Sequence, residues 1–223
     1  MNVLALETST EYCSAALWRD GVLTQQGEHA GQRHSQLLLP QCRDVLAAAK
    51  LELDDLDAIA FSSGPGSFTG LRIACAVAQG LAFGLGVPVV GISSLLALAA
   101  ATQAERVLAC LDARMGEVYY ACYQHDLQGW HEVSPPRVCR ADAVSLPDEG
   151  GWMGCGNGFV VYENELVTRL NQHLLGIEPG VFPQAKVVAG LAAQEFAAGR
   201  GIAPELAVPL YVRDRVALKI CER

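Results

Sequence analysis

Short apolar runs separated by polar turns dominate the first half of the chain. Runs bounded by turn residues predict strands, and apolar residues that recur every three or four positions predict helices. The pattern predicts the order β-β-β-α-β-α, in which an antiparallel meander leads into a right-handed crossover. The predicted elements are strands at 2–9, 13–21 and 22–29, a helix at 35–49, a strand at 57–63, a helix at 69–84 and a strand at 88–93.

Turn and cap residues mark the ends of several of these elements. Asp20-Gly21 is a strong signal for a tight hairpin between the second and third strands. Ser35 is predicted to cap the first helix, because its hydroxyl can accept a bond from a free N–H group. Pro40 lies inside that helix and is expected to kink it, since proline has no N–H to donate.

The second half begins with an echo of the first. Residues 3–21 and 107–129 each contain an apolar strand, an acid near its carboxyl end (Glu7 and Asp112), a turn and a second strand closing on Asp and Gly. This echo favours an internal duplication. We therefore expect an α/β lobe over residues 1–103 and a smaller α/β lobe over 104–223. Later stretches are interpreted as loops at 134–138, 146–151 and 154–158, helices at 162–170 and 185–199, and a short strand at 208–214.

One long segment has no charge and raises the question of a membrane span. From Ile73 to Ala104 there is no charged residue, and a spanning helix needs about 20 strongly apolar residues. The segment is rich in Gly and Ala and is interrupted by Pro88. We interpret it as a buried helix, strand and helix, and expect no membrane association.

Composition narrows the function classes. The formal net charge of −8 argues against autonomous nucleic-acid binding, because phosphate backbones are bound by clustered Lys and Arg. The eight cysteines are scattered, with no C-x-x-C pair, which favours a reducing cytoplasm over a disulfide framework or a zinc site. The five histidines are not spaced as metal ligands, and no nucleophile elbow is present.

Phosphate binding is the remaining chemical candidate. Hydroxyl-rich residues follow the first strand, and a glycine loop (residues 64–69) precedes the second helix. Backbone N–H groups at such places attract anions, but neither loop contains the lysine of a Walker site. The alternative is that the glycine loop makes a sharp turn and positions the helix, with Ser67 or Thr69 as its cap. The loop residues in question are Gly64, Pro65, Gly66, Ser67 and Thr69.

The second helix carries a row of small residues at steps of four. Gly70, Ala74, Ala78 and Ala82 form this row, beside larger apolar residues. Small residues allow another helix or the chain's own sheet to approach closely. We expect the row to face outward beside the first helix, so that an Ala78→Arg variant would lose its partner and stay folded. The predicted interface consists of Leu38, Gln41, Cys42, Val45, Gly70, Ile73, Ala74, Val77, Ala78 and Leu81.

Four motifs resemble one protein family in order and spacing. They are VLALETSTEYCSAAL, SGPGSFTGLRIACAVAQGLA, DARMGEVYYA and PLYVRD, and they are similar to the TsaB (YeaZ) family. That family belongs to the actin-like ATPase (ASKHA) superfamily. The resemblance implies an α/β fold of two lobes, each built on a β-meander with crossover helices.

The resemblance also implies a function in tRNA modification. Family members are non-catalytic partners of TsaD, which holds a metal and transfers a threonylcarbamoyl group to the adenosine beside the anticodon. A small ATPase, TsaE, joins the complex. The implied chain is a cytoplasmic protein with no cofactor of its own, contacts tRNA only through the complex, and forms a homodimer when alone. ATP and metal are then expected only in the complex with TsaD and TsaE.

One position departs from the family pattern. The first strand ends in Glu7 where many relatives have Asp, which makes a nucleotide bound by this chain alone less expected. Glu7, Thr8 and Ser9 are therefore candidates for a vestigial nucleotide loop. The alternatives to a non-catalytic subunit are an actin-like ATPase, and a zinc glycoprotease whose ligands the sequence does not offer.

Overall fold

The computed structural model describes residues 1–147 and 150–213, which form two five-stranded sheets and six α-helices. The first sheet contains β1 (Asn2–Glu7), β2 (Tyr12–Arg19), β3 (Val22–His29), β4 (Ala58–Gly64) and β5 (Val89–Ser93). The second sheet contains β6 (Arg106–Arg114), β7 (Glu117–Asp126), β8 (Gly129–Arg140), β9 (Trp152–Cys155) and β10 (Leu174–Glu178). The helices are α1 (His34–Ala49), α2 (Phe68–Leu85), α3 (Ser94–Ala100), α4 (Gly158–Val161), α5 (Glu163–Leu170) and α6 (Ala185–Ala197).

The two sheets have the same topology. The strand orders are β3-β2-β1-β4-β5 and β8-β7-β6-β9-β10. In each, three antiparallel strands form a meander, and the first of them pairs in parallel with the fourth, which pairs in parallel with the fifth. This repetition agrees with the duplicated sequence pattern and is the two-lobed arrangement of the actin-like ATPase (ASKHA) fold. The boundary at residue 103 stays a prediction.

Among the local predictions for the first half, the tight hairpin is confirmed, the helix cap is wrong, and the kink expected at Pro40 stays a prediction. Asp20 and Gly21 both have positive φ, 49° and 89°, as a tight hairpin turn requires. Pro40 lies inside α1. Ser35 as the cap is wrong, because the helix begins one residue earlier and Arg33 occupies the cap position without a side-chain bond. The start is fixed by tertiary structure instead: His34 Nε2 hydrogen-bonds the Thr10 carbonyl at 2.8 Å.

Helices cover both faces of the first sheet. The core on one face lies between α1, α2 and the sheet, and the core on the other face includes α6. Helix α6 therefore follows the second sheet in the chain but packs on the first. By length and composition alone α2 could cross a membrane, with a mean hydropathy of 1.4. Here it packs on a sheet, followed by β5 and α3, which is the predicted helix, strand and helix.

The second half has more regular structure than its sequence indicated. Helices α5 and α6 are confirmed, but 134–138 is part of β8 and not a loop. Pro135 and Pro136 are tolerated because β8 is an edge strand and the pairing is irregular there, so no ladder N–H is lost. Gly154-Cys155 belongs to β9. Residues 208–213 form no strand, and Asp214 lies outside the described residues.

Candidate functional site

The glycine loop packs directly on the end of β1. The Ser67 N–H donates to the Ser9 carbonyl at 2.7 Å, and the Thr8 hydroxyl donates to the Gly70 carbonyl at 2.6 Å. A Cβ at Gly66 would lie 2.4 Å from the Ser9 carbonyl oxygen, so a side chain there would collide with backbone. The loop is therefore held by the chain itself, and its glycines permit a close backbone approach.

This contact fixes where α2 begins. Ser67 occupies the N-cap, and its Oγ accepts a bond from the Gly70 N–H at 3.3 Å. Thr69, the alternative cap, lies inside the helix. Gly64 has a φ of +122°, and a Cβ on it would lie 2.7 Å from the Leu210 carbonyl oxygen. Pro65 follows it through a cis peptide bond.

Glu7 is fully buried beneath this loop. Its carboxylate accepts a bond from the Ser9 N–H at 2.5 Å and another from the Ser62 hydroxyl. Burial raises the pKa of Glu7 from 4.5 to about 7, against hydrogen bonding from Ser9 that lowers it. Thr8 is also buried. Glu7 is enclosed and already bonded within the chain, so it helps to hold the end of β1 against β4.

We expect Glu7 to make the stability of the chain depend on pH. Its pKa is raised in the folded state, so its stabilising contribution is complete below pH 4.5 and is lost as pH rises through 7. The loss amounts to about 3 kcal/mol. Urea unfolding of wild-type and Glu7→Gln chains at pH 5 and pH 8 measures it. The Gln variant should lose much less stability over this range; equal losses would contradict the assignment to Glu7.

The small-residue row of α2 faces the chain's own core, so the expectation that it faces outward is wrong. Ala74, Ala78 and Ala82 are 0% exposed and pack on the first sheet, and Gly70 is buried too. The reason is the contact at Gly70, where a Cβ would lie 1.9 Å from the Thr8 carbonyl oxygen. A helix that approaches a strand end this closely must turn its small residues toward it.

The α1 residues of the predicted interface are buried as well. Leu38, Cys42 and Val45 belong to the same core, and Gln41 donates its Nε2 hydrogen to the Cys13 carbonyl at 3.3 Å. These four residues do not lie on the outer surface as predicted. Three predicted interface residues of α2 lie at the edge of the outer surface, because they are half-buried: Ile73, Val77 and Leu81.

The outer face of the two helices is formed by other residues. On α1 it includes Leu39, which is 51% exposed. On α2 it includes Arg72, Ala76 and Phe83, the last of which is 76% exposed. The sequence alone had suggested no role for Arg72. Its signal was its isolation, because it is the only charged residue between Asp57 and Glu105.

A cavity of about 470 Å³ lies between the loops of the two meanders. Ser9 and the glycine loop form one side, and the turn between β6 and β7 forms the other. Asn157 joins the two sides: its Oδ1 accepts from the Asp112 N–H at 2.9 Å, and its Nδ2 donates to the Glu11 carboxylate at 3.2 Å. Glu7 and Asp112, which the sequence echo aligns, lie near the ends of equivalent strands, β1 and β6. Glu7 is buried, whereas Asp112 lines the cavity.

The Asp112 carboxylate is fully engaged by its surroundings. Tyr162 donates its hydroxyl to Oδ1 at 3.0 Å, and the Arg114 guanidinium lies 3.0 Å from Oδ2. Neither Asn157 nor Tyr162 could be assigned from sequence, because both are distant from Asp112 in the chain. Over residues 1–147 and 150–213, no three His, Cys, Asp or Glu side chains gather as potential metal ligands.

Comparisons with known proteins agree with this architecture. The family model described as "TsaD: tRNA N6-adenosine threonylcarbamoyltransferase" matches residues 21–153. The "tRNA threonylcarbamoyladenosine biosynthesis protein TsaB" of Escherichia coli K12 is 40% identical, over 98% of this chain and 97% of that protein. The solved structure "YeaZ from Pseudomonas aeruginosa" is 40% identical with a TM-score of 0.88, covering 94% of this chain and 99% of that one.

A second Pseudomonas aeruginosa crystal structure is described as an uncharacterized protein with similarity to peptidase YEAZ. It has 40% identity and a TM-score of 0.88, over 95% of this chain and 99% of that one. Sequence identity of this level over nearly the whole length of both compared chains, together with the matched family model, shows family membership as well as a shared fold. The chain therefore belongs to the TsaB (YeaZ) family.

Proposed function

We propose that this chain is a non-catalytic subunit of the system that makes threonylcarbamoyladenosine in tRNA. The observation that carries the proposal is its 40% identity to Escherichia coli TsaB over 98% of its length. It pairs with TsaD, TsaE joins the pair, and this chain activates TsaD. The modified base is the adenosine next to the anticodon in tRNAs that read codons beginning with A. The system operates in the cytoplasm.

The chemistry of the described residues supports a non-catalytic role. The strand-end carboxylate, Glu7, is enclosed by Ser9 and Ser62. Burial raises the pKa of the Cys13 and Cys42 thiols to about 12, so they are protonated at neutral pH and are poor nucleophiles. Catalysis is therefore assigned to TsaD, together with the metal and the ATP that the complex uses.

Surface charge and shape support the proposed partners. A net charge of −8 disfavours direct binding to tRNA, so tRNA is held by the complex. The outer face of α1 and α2 exposes large apolar side chains, including Leu39 and Phe83, and such a patch is typical of an interface. TsaD covers this face in the complex, and a second copy covers it when the chain is alone.

Reconstitution with TsaD and TsaE from the same organism tests the proposal. We expect this chain to co-purify with TsaD, and we expect modification of a tRNA transcript from threonylcarbamoyl-adenylate to require it. Mass spectrometry of the nucleosides measures the product. This chain alone should give no product, whereas TsaD and TsaE working equally well without it would contradict the proposal.

A further inference from the structure

Arg72 is an isolated charge on an otherwise uncharged segment. No other charged side chain occurs between Asp57 and Glu105, and the structure places Arg72 on the exposed side of α2. A charged side chain on a helix of apolar and small residues is either solvated by water alone or positioned to bind a partner protein. The contacts of the guanidinium distinguish these cases.

The guanidinium lies over the Phe68 ring, with Tyr211 beside both. Its Cζ lies 3.6 Å from the centroid of the Phe68 ring and 5.9 Å from that of Tyr211. The Nε–H donates to the Tyr211 hydroxyl at 3.0 Å, and the two rings contact each other with centroids 5.8 Å apart. The side chain is therefore ordered before any partner arrives, which lowers the entropic cost of binding.

Tyr211 is brought to α2 by the C-terminal segment (residues 207–213). The Leu210 N–H donates to the Ser63 carbonyl at 2.7 Å, and the Gln79 Nε2 donates to the Ala207 carbonyl at 2.9 Å. Beyond Tyr211, the Arg213 guanidinium pairs with Glu117 in β7. The segment thus crosses from α2 to the second sheet and fixes the ring that orients Arg72.

The charge of Arg72 is not neutralised by the described chain. No carboxylate of residues 1–147 or 150–213 lies within ion-pair distance of it, and the Nε bond is its one hydrogen bond to these residues. Arginine has four further N–H donors, arranged in a fork that fits a carboxylate. Rigid Arg beside exposed aromatic rings is the composition typical of interface hot spots.

We infer that Arg72 is the charge anchor of the partner-binding face and that the partner places an Asp or Glu carboxylate on it. The inference rests on the proposed function, in which this partner is TsaD. A second copy fits less well, because α2 has no acidic residue and the exposed Asp44 of α1 already pairs with Arg43 at 3.6 Å. Two copies that meet through α2 would bring two positive charges into one interface.

Affinity measurements on charge variants test this inference. Titration calorimetry of Arg72→Gln against TsaD from the same organism is expected to show a loss on the order of tenfold at low salt. Arg72→Lys should lie between, since Lys lacks the planar fork. Tyr211→Phe keeps the ring, removes one hydrogen bond and should cost less. Raising the salt should weaken wild-type binding more than Arg72→Gln binding.

Arg19→Gln is the matched control. Arg19 is exposed and pairs in register with Asn2, at the opposite end of β1 from the glycine loop, so its loss should leave the affinity unchanged. If Arg72→Gln bound TsaD with the same affinity and the same salt dependence as the wild-type chain, the inference would be overturned. An Arg72→Gln chain that no longer formed the homodimer but still bound TsaD normally would also overturn it. A wild-type chain that does not bind TsaD would instead refute the proposed function, and the anchor with it.

Discussion

Replacing Ala78 by Arg is expected to unfold the monomer. Ala78 is 0% exposed, in the core between α2 and the first sheet. A guanidinium there would be buried without a partner, and its volume would displace closely packed neighbours, which together cost several kcal/mol or more. Domains are stable by only about 5–15 kcal/mol. We expect the variant to be largely insoluble, and any soluble fraction to lack cooperative melting by circular dichroism.

Ala76→Arg is the matched control for this variant. Ala76 is exposed on the same helix, so the same charge and volume are added where water can solvate them. We expect this chain to melt within a few degrees of the wild type, with an effect of about 0.5 kcal/mol or less on unfolding. A soluble, cooperatively folded Ala78→Arg chain would show that the small-residue row is not core.

The orientation of α2 shows where sequence reasoning reaches its limit. Its position and length follow from local signals, the glycine loop before it and the apolar run within it. Its small-residue row and its larger apolar row are both hydrophobic, so periodicity alone does not say which faces the sheet. The bond from Thr8 to Gly70 determines it, and those residues are 62 positions apart.

The anchor at Arg72 depends on an even longer separation. Its contact with Tyr211 spans 139 positions and involves a segment without regular structure, so no periodic pattern predicts it. The cavity also depends on contacts between residues far apart in the chain, because Asn157 bonds Asp112 of one meander and Glu11 of the other. The strands and the hairpin of the first half were predictable since their signals are local. The later strands β8 to β10 were largely missed, and the site is assembled from loops that meet only in the folded chain.

Gly70→Ala is expected to destabilise the chain although alanine favours helices. A Cβ at Gly70 would lie 1.9 Å from the Thr8 carbonyl oxygen and 3.0 Å from its carbonyl carbon. Both are backbone atoms, so no side-chain rotation relieves the clash, and either α2 or the end of β1 must shift. The shift also lengthens the bond from the Thr8 hydroxyl to the Gly70 carbonyl. We expect a loss of about 3 kcal/mol in urea unfolding.

Gly80→Ala separates this clash from the intrinsic effect of the substitution. Gly80 lies in the same helix, and a Cβ there would meet nothing within 4 Å, so alanine should stabilise the chain by about 1 kcal/mol. The two variants are therefore expected to change stability in opposite directions. The displacement in Gly70→Ala also moves Arg72, two residues further along, and should weaken binding to TsaD while Gly80→Ala retains it. Equal stabilisation by both variants would mean that α2 does not press its first turn against β1.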